Sequence, residues 1–415
     1  MGKPGHSNRV RGHTAAAIDP LREIEALVRH APRGPGSDGE RRAARHLAAR
    51  LRAIGRDAQT EPFDMWPRWP LAHLLHAVAA IVGSLVSVSS PLAGGIVLAV
   101  VAVLVFGDLT GIFQPTRHLT GRRASQNVVS REDGDRPGTI VLVAHYDAAR
   151  SGVVFNDRSM RRRAWIGRLI HRPIGPFEPF FWAIALALAC AGLRFAGVHT
   201  SAVTAVQFAA TVVLIVSVPL LADIALSDVV PGANDNASGV ATALRLADRY
   251  GDSLDHFDVW VVLTGSEEAF ARGARAFVRR HRRELDRSRT VFLCVDKVGA
   301  GTVRYARREG LLVARSYHSM LVGLCDQIAA EDAEDDDRYG ARSIVSRSVT
   351  DAVPARGAGY PAVSIACLGA RGYAPHYHQP TDVPANLEPE ALERAFGFCS
   401  ELIELLDEEI GPELL

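Results

Sequence analysis

Three kinds of hydrophobic pattern share this chain: stripes at helical spacing, short β-rich runs, and long stretches that are apolar all round. Residues 37–54 show the first kind, with Leu47, Leu51 and Ile54 on one face and Ser37 or Asp38 as a cap, which predicts an amphipathic helix. A short strand is expected over 57–63. Further on, 139–144 (TIVLVA), 257–263 (FDVWVVL), 290–295 (TVFLCV) and 362–367 (AVSIAC) are continuous apolar runs, as strands covered on both faces should be. Helical patterns at 237–250, 269–281, 317–329 and 389–406 lie among them. That order predicts an α/β fold with a doubly wound, mostly parallel sheet and helices on both faces.

The third kind of pattern occurs at 71–90, 92–106, 177–193 and 202–224, in two pairs joined by short polar links. A bilayer core of ~30 Å needs about 20 apolar residues. The first and fourth runs reach that length, whereas the second and third are short and need flanking residues or local thinning. A core helix of a soluble protein normally keeps a polar face, and these runs have none. Two transmembrane helical hairpins are therefore expected, at 67–113 and 177–226, interrupting one α/β domain made of 1–66, 114–176 and 227–415. Orientation follows the basic residues in short loops. Arg158, Arg161, Arg162, Arg163, Arg168 and Arg172 crowd the segment between the hairpins, against Arg194 alone on the opposite links. The expected protein is a multi-pass protein of the cell membrane with its α/β domain in the cytoplasm. Residues 1–20 are polar, with Lys3, Arg9 and Arg11 and no apolar stretch behind them, so no cleavable signal peptide is expected.

Composition narrows the remaining choices. The 415 residues hold 47 Lys+Arg and 46 Asp+Glu, a net charge of +1, and so offer no general field for nucleic acid. The cysteines, Cys190, Cys294, Cys325, Cys367 and Cys399, are odd in number and scattered, which argues against a disulfide framework or a cysteine zinc site. Within the apolar runs, ionisable residues are few beyond terminal ones such as Asp108 and Asp223, which argues against a transport pathway.

Each predicted strand of the α/β part runs into residues that bind metals, and open α/β sheets place their sites at the carboxyl ends of their strands. His145, Tyr146 and Asp147 follow the first long strand; Gly265, Ser266, Glu267 and Glu268 follow the second; Asp296 follows the third. Asp235 lies in GANDNASG opening a helix, and His378 lies beyond the last strand. Zinc accepts imidazole and carboxylate ligands and, when catalytic, keeps a position open for water. A two-metal site needs a bridging carboxylate and outer ligands for each ion. His145, Asp235, Glu268, Asp296 and His378 supply that inventory for two zinc ions. Asp147 is spaced to accept the free ring N–H of His145, and Glu267 beside Glu268 suggests one carboxylate for metal and one for the proton.

The motifs AHYDA (144–148), GANDNASG (232–239), GSEEAFARGARAF (265–277), VDKVG (295–299) and YHQPTD (377–382) resemble those of the co-catalytic zinc exopeptidases. That group includes bacterial leucyl aminopeptidase, aminopeptidase Y and the glutamate carboxypeptidase/transferrin receptor branch. TDAVPARGAGYPAVSI (350–365) is also similar to the family segment before the last strand. The resemblance covers nearly everything outside the hairpins. It implies Asp235 as bridging ligand, His145 and Asp296 on one zinc, Glu268 and His378 on the other, Glu267 as general base and Asp147 as the partner that orients His145. It also implies a tyrosine at the oxyanion, for which Tyr360, Tyr373 and Tyr377 are candidates. Two features depart from the family: Lys297 replaces the usual apolar residue after Asp296, and the hairpins bring the site to a bilayer surface. The implied activity is aminopeptidase hydrolysis of a peptide or small amide. A carboxypeptidase, dipeptidase or other amidohydrolase on the same site, or a membrane scaffold, is the alternative. A glutaminyl cyclase fits less well, because those relatives use one zinc.

Overall fold

The computed structural model describes residues 18–414. The expectation about a signal peptide falls almost entirely outside the described residues. The strands are β1 (Gln59–Met65), β2 (Arg123–Ser130), β3 (Gly138–His145), β4 (Phe257–Thr264), β5 (Thr290–Val295), β6 (Thr302–Glu309), β7 (Arg315–Ser316), β8 (Arg342–Ser346) and β9 (Ala362–Leu368). The helices of the α/β part are α1 (Pro20–Val28) and α2 (Asp38–Ala53) before the first apolar pair, α3 (Trp69–Ser89) and α4 (Pro91–Thr110). Then come α5 (Asp157–Leu169), the second apolar pair α6 (Glu178–Phe195) and α7 (Ser201–Leu226), and α8 (Gly239–Tyr250), α9 (Arg272–His281), α10 (Ser319–Asp335), α11 (Ala352–Gly357) and α12 (Pro389–Leu405). Ser37 caps α2 as expected, its side chain accepting from Glu40 N at 3.1 Å.

All nine strands form one sheet of order β1-β2-β4-β3-β5-β9-β6-β7, with β8 beside β6. The four strands legible as apolar runs are its centre, and β4-β3-β5-β9 are mutually parallel. The flanks are not. β1–β2, β2–β4, β6–β9 and β6–β7 pair antiparallel, so the expectation of a mostly parallel sheet is corrected to a mixed one. The reason is local: β6 (TVRYARRE) and β2 (RASQNVVS) carry charged and polar residues, and no continuous apolar run announces them. Alternate side chains of the central strands go to opposite faces. Ile140, Leu142, Val259, Val261 and Leu293 pack under α1, α2, α8, α10 and α12, while Val141, Val143, Val262, Phe292 and Cys294 meet Phe277 of α9 and Ala355 of α11. Burial of one such side chain contributes about 1.5–3 kcal/mol.

The helices α3, α4, α6 and α7 are each long and apolar enough to cross a membrane, with 28–44% of each most apolar window buried within the protein. Outward-facing residues include Leu85, Ile96, Leu186 and Phe208, and contiguous exposed apolar surface marks interaction with a membrane or a partner. The four pack in a ring, α3 against α4 and α7, and α6 against α4 and α7. Gly94 permits the tightest crossing, since a Cβ there would lie 2.3 Å from Ser87 N on α3. Gln207 of α7 donates to Ser84 O at 2.7 Å and Ser87 Oγ at 2.8 Å, and Arg194 donates to Gln207 Oε1 at 2.8 Å. Arg194 is thus a buried bundle residue rather than a loop charge.

Candidate metal centre

Four strand ends converge on one buried cluster. His145 ends β3, and its Nε2 lies 3.3 Å from Asp235 Oδ1 and 3.3 Å from Asp296 Oδ1 at the end of β5. His378, in the loop after β9, puts its Nε2 3.3 Å from Asp235 Oδ2 and 3.4 Å from Glu268 Oε2, beyond β4. Asp235 therefore turns one oxygen to each histidine. Both of its oxygens, together with His145 Nε2 and Asp296 Oδ1, are buried without a hydrogen-bond partner. Unpartnered buried polar atoms are rare and costly, and here they are zinc ligand types pointing at common centres. Three overlapping groups, His145–Asp235–Asp296, Asp235–Glu268–His378 and His145–Glu267–Glu268, each bring three ligand atoms within 4.8 Å of one another. The donor chemistry fits zinc. Glu267 Oε2 is 3.8 Å from His145 Nε2, beside the same cluster.

The surrounding backbone explains how the loops hold these positions. Asp147 does more than face a ring. Its carboxylate oxygens accept from Glu267 N at 2.9 Å and Glu268 N at 3.1 Å, holding the turn after β4, while Oδ1 is 3.5 Å from His145 Nδ1. The shorter contact of that ring nitrogen, 3.2 Å, is to Asp147 O. Ser266 enters the turn at φ 55°, and its hydroxyl donates to Glu40 Oε1 at 2.8 Å. The asparagines beside Asp235 tie its loop to β5: Asn236 Nδ2 donates to Val295 O at 3.0 Å, and Asn234 Oδ1 accepts from Gly299 N at 2.8 Å. Gly239 allows this approach, because a Cβ there would meet Val295 O at 2.3 Å. His378 is held between the Phe155 ring, 4.5 Å away, and the stacked Tyr377 ring at 3.8 Å.

Sequence reasoning missed three supporting residues. Asp382 accepts from Asn234 N at 2.6 Å and Asp235 N at 3.0 Å, and burial pushes its pKa up to about 6 against these hydrogen bonds. Its place in YHQPTD was the available signal. Arg33, wholly buried, donates to Tyr146 O at 2.7 Å and to Pro231 O and Gly232 O, joining the end of β3 to the Asp235 loop. No motif surrounds it. Asp351 accepts from Thr264 Oγ1 behind Glu267, its pKa pushed up to about 7 by burial. Of the three tyrosines, Tyr360 is buried away from the site with its hydroxyl on Leu285 O, whereas Tyr373 and Tyr377 line the site cavity. Lys297, at φ 57°, contacts Asp296 Oδ2 through Nζ and lies 4.0 Å from Asp235 Oδ1. Burial raises the pKa of Glu267; His145 opposes this and Glu268 adds to it.

Residues 217–403 match the family model of Peptidase family M28, a span that holds every cluster residue except His145 and Asp147. An 87-residue stretch is 38% identical to the vacuolar membrane protease of Schizosaccharomyces japonicus, covering 21% of this chain and 10% of that protein. Solved structures with a similar fold include glutaminyl cyclase of Porphyromonas gingivalis (15% identity, 93% and 96% of the two chains covered, TM-score 0.54). A Zn-dependent exopeptidase of Parabacteroides distasonis (10%, 95% and 99%, 0.53) and a zinc aminopeptidase of Bacillus subtilis (13%, 92% and 93%, 0.52) are also similar. At these identities the likeness speaks for the fold. With the family model over 217–403 and the fold over nearly the whole chain, the resemblance to the co-catalytic zinc exopeptidases read from the motifs is borne out.

Proposed function

We propose that the protein is a membrane-embedded, zinc-dependent exopeptidase of the aminopeptidase type. The observation that carries this reading is Asp235, whose two unpartnered oxygens each face a different histidine at 3.3 Å. His145 and Asp296 would hold one ion, Glu268 and His378 the other, with Asp235 between them. Zinc held by these residues would supply a water molecule of lowered pKa and a Lewis acid for the scissile carbonyl. Glu267 takes the proton of the attacking water and returns it to the leaving amine. Asp147 keeps Glu267 and Glu268 in place through their backbone N–H groups, and Asp382 does the same for Asp235. The apolar helices would anchor the enzyme in the cell membrane, and the arginines of α5 support a cytoplasmic α/β domain.

The test is hydrolysis of aminoacyl anilides and N-blocked peptides by detergent-purified protein, wild type and Glu267→Ala, with zinc content measured on both. About two zinc ions on each protein, and cleavage of unblocked substrates by wild type alone with a loss of at least ~10³-fold in the variant, support the reading. Cleavage of blocked substrates instead moves it to a carboxypeptidase or other amidohydrolase. Zinc without cleavage of either class, or no zinc, removes it.

A further inference from the structure

The metal cluster opens into a broad cavity rather than onto a flat surface. It forms one end of that cavity, about 820 Å³ in volume, whose far wall is built by the apolar helices. Ser217, Leu220, Leu221 and Ile224 line it from α7, at the i, i+3, i+4, i+7 spacing of a single helix face. Phe180 of α6 and Trp69 at the start of α3 complete that wall. Ser217 lies nine residues before Leu226, the end of α7, so at ~1.5 Å per residue the cavity descends ~13 Å along the helix. The 26 residues of α7 are ~39 Å long against a bilayer core of ~30 Å, so with the excess shared between its ends Ser217 would lie ~9 Å below the core surface. On the other side, α5 contributes Met160, Arg163, Ala164 and Gly167, an amphipathic face over the opening.

The polar lining, including Arg163, Arg304, Ser346 and Arg347, belongs to α5, β6 and the β8 region, so a polar chain lying along the α7 and α6 face would lose hydration there with few replacement hydrogen bonds. An apolar chain gains burial there. The geometry points to a substrate peptide whose scissile bond lies at the end of an apolar, bilayer-partitioned segment, with the residues after that bond seated against α7 and α6. This rests on the exopeptidase reading above. The enzyme would then trim the ends of membrane-inserted peptides, and the hairpins are part of its substrate site as well as its anchor. Because the cavity is continuous with the cluster, the same chain can have its terminus at the metals and its apolar residues in the wall.

The experiment uses full-length zinc-loaded protein in lipid nanodiscs. Two peptides share their N-terminal residue and first peptide bond; one continues into a ten-residue leucine/alanine tail and the other into a serine/asparagine tail. An aminoacyl anilide is run beside them. At least a tenfold higher kcat/KM for the apolar tail is expected, mostly through KM. Partitioning into lipid alone could raise the rate, so the ratio is measured again in Leu220→Trp, where a filled wall should bring it at least threefold closer to one. In the wild type, a photoreactive benzophenone in the apolar tail should label residues 217–224, a readout that needs no variant to fold. Equal rates for the two tails, a ratio unmoved by Leu220→Trp in protein that retains its zinc, labelling confined to other segments, or preference for a long-chain N-acyl amide over either peptide would overturn the inference while leaving the exopeptidase reading intact if the anilide is cleaved. If the anilide and both peptides resist cleavage with zinc bound, the exopeptidase reading falls, and this inference with it.

Discussion

At the end of β5 the chain places Asp296, whose Oδ1 faces His145, and then Lys297, whose ammonium contacts the other oxygen of the same carboxylate. A metal held by Asp296 and Asp235 would therefore have a buried cation as neighbour, and a divalent and a monovalent cation ~4 Å apart repel by on the order of 2–8 kcal/mol at effective dielectrics of 80 to 20, before the carboxylates between them screen it. Lys297→Met should strengthen zinc binding by about tenfold at one of two sites, measured by competition with a chelator; unchanged affinity would show that the ammonium moves away on loading. Asp382→Ala should act in the other direction. Its carboxylate is what holds Asn234 N and Asp235 N, and loss of an outer partner typically costs 10–100-fold in metal affinity. Zinc retention equal to wild type after dialysis against chelator would exclude that role. His145, Glu268, Asp296 and His378 were legible in sequence because each follows a strand that reads as an apolar run and strand ends in an α/β sheet converge, and Asp235 because it sits in a motif that opens α8. Arg33 was not, because nothing in the polar stretch around it signals that the chain crosses under Tyr146 and Gly232. Asp147 lies beside the His145 ring as its spacing suggested, but its grip on the Glu267–Glu268 turn comes from tertiary contact that spacing does not encode.

Elements were legible to the degree that burial made them uniform. The central strands and the helices behind them keep a clean pattern, since both faces of β3 and β5 are covered. The flanking strand β6 and helix α5 do not, because half or more of their residues meet solvent or the cavity. Two contacts between elements carry predictions. Arg117, just after α4, donates through Nε to Asp108 Oδ2 at 2.8 Å and through Nη1 to Ala269 O at 2.9 Å, with its guanidinium 4.0 Å from the Phe270 ring. This ties the first apolar pair to the turn that carries Glu267 and Glu268. Removing one partner of a buried ion pair costs about 3–5 kcal/mol, so Asp108→Ala should lower the melting temperature by several degrees and reduce kcat, followed by thermal unfolding and anilide hydrolysis; full activity would mean that the apolar pair does not support the turn. Glu40 of α2 joins Ser125 of β2 and Ser266 at the same turn. Burial pushes its pKa up to about 8, the Asp147 charge adds, and the serine hydrogen bonds oppose. The folded state then holds a proton that the unfolded chain releases near pH 4.5, so this group's contribution to stability is complete below about 4.5 and is lost as pH rises towards about 8. Glu40→Gln should flatten the fall of melting temperature between those values relative to wild type; parallel curves would place the proton elsewhere.

On the scale of the molecule, two helical pairs leave the α/β domain and return to it, and Trp69, Leu109, Phe177 and Leu221, near the four junctions, belong to or pack against one apolar cluster. Phe270 and Leu311 of the α/β part belong to the same apolar cluster as Phe180 and Leu221 of the bundle, so the domain sits directly on those helix ends. The length and apolarity of the runs make this organisation readable in the amino-acid sequence, while the ring arrangement rests on buried Gln207, Ser84 and Arg194 contacts that no run-length rule reveals. If the bundle spans a membrane, the links around Ser90 and Val198 face away from the catalytic side, and α5 with its arginines faces the same side as the metal cluster. All five natural cysteines are buried, which leaves a low background for labelling with an impermeant maleimide. Val198→Cys should label in intact cells, and Arg161→Cys only after the membrane is opened. Labelling of both in intact cells would mean that the apolar helices lie on the bilayer without crossing it, or that the protein is on the outer surface. The reverse pattern would keep the crossing but put the peptidase outside, and with it the pool of peptide ends the enzyme can reach.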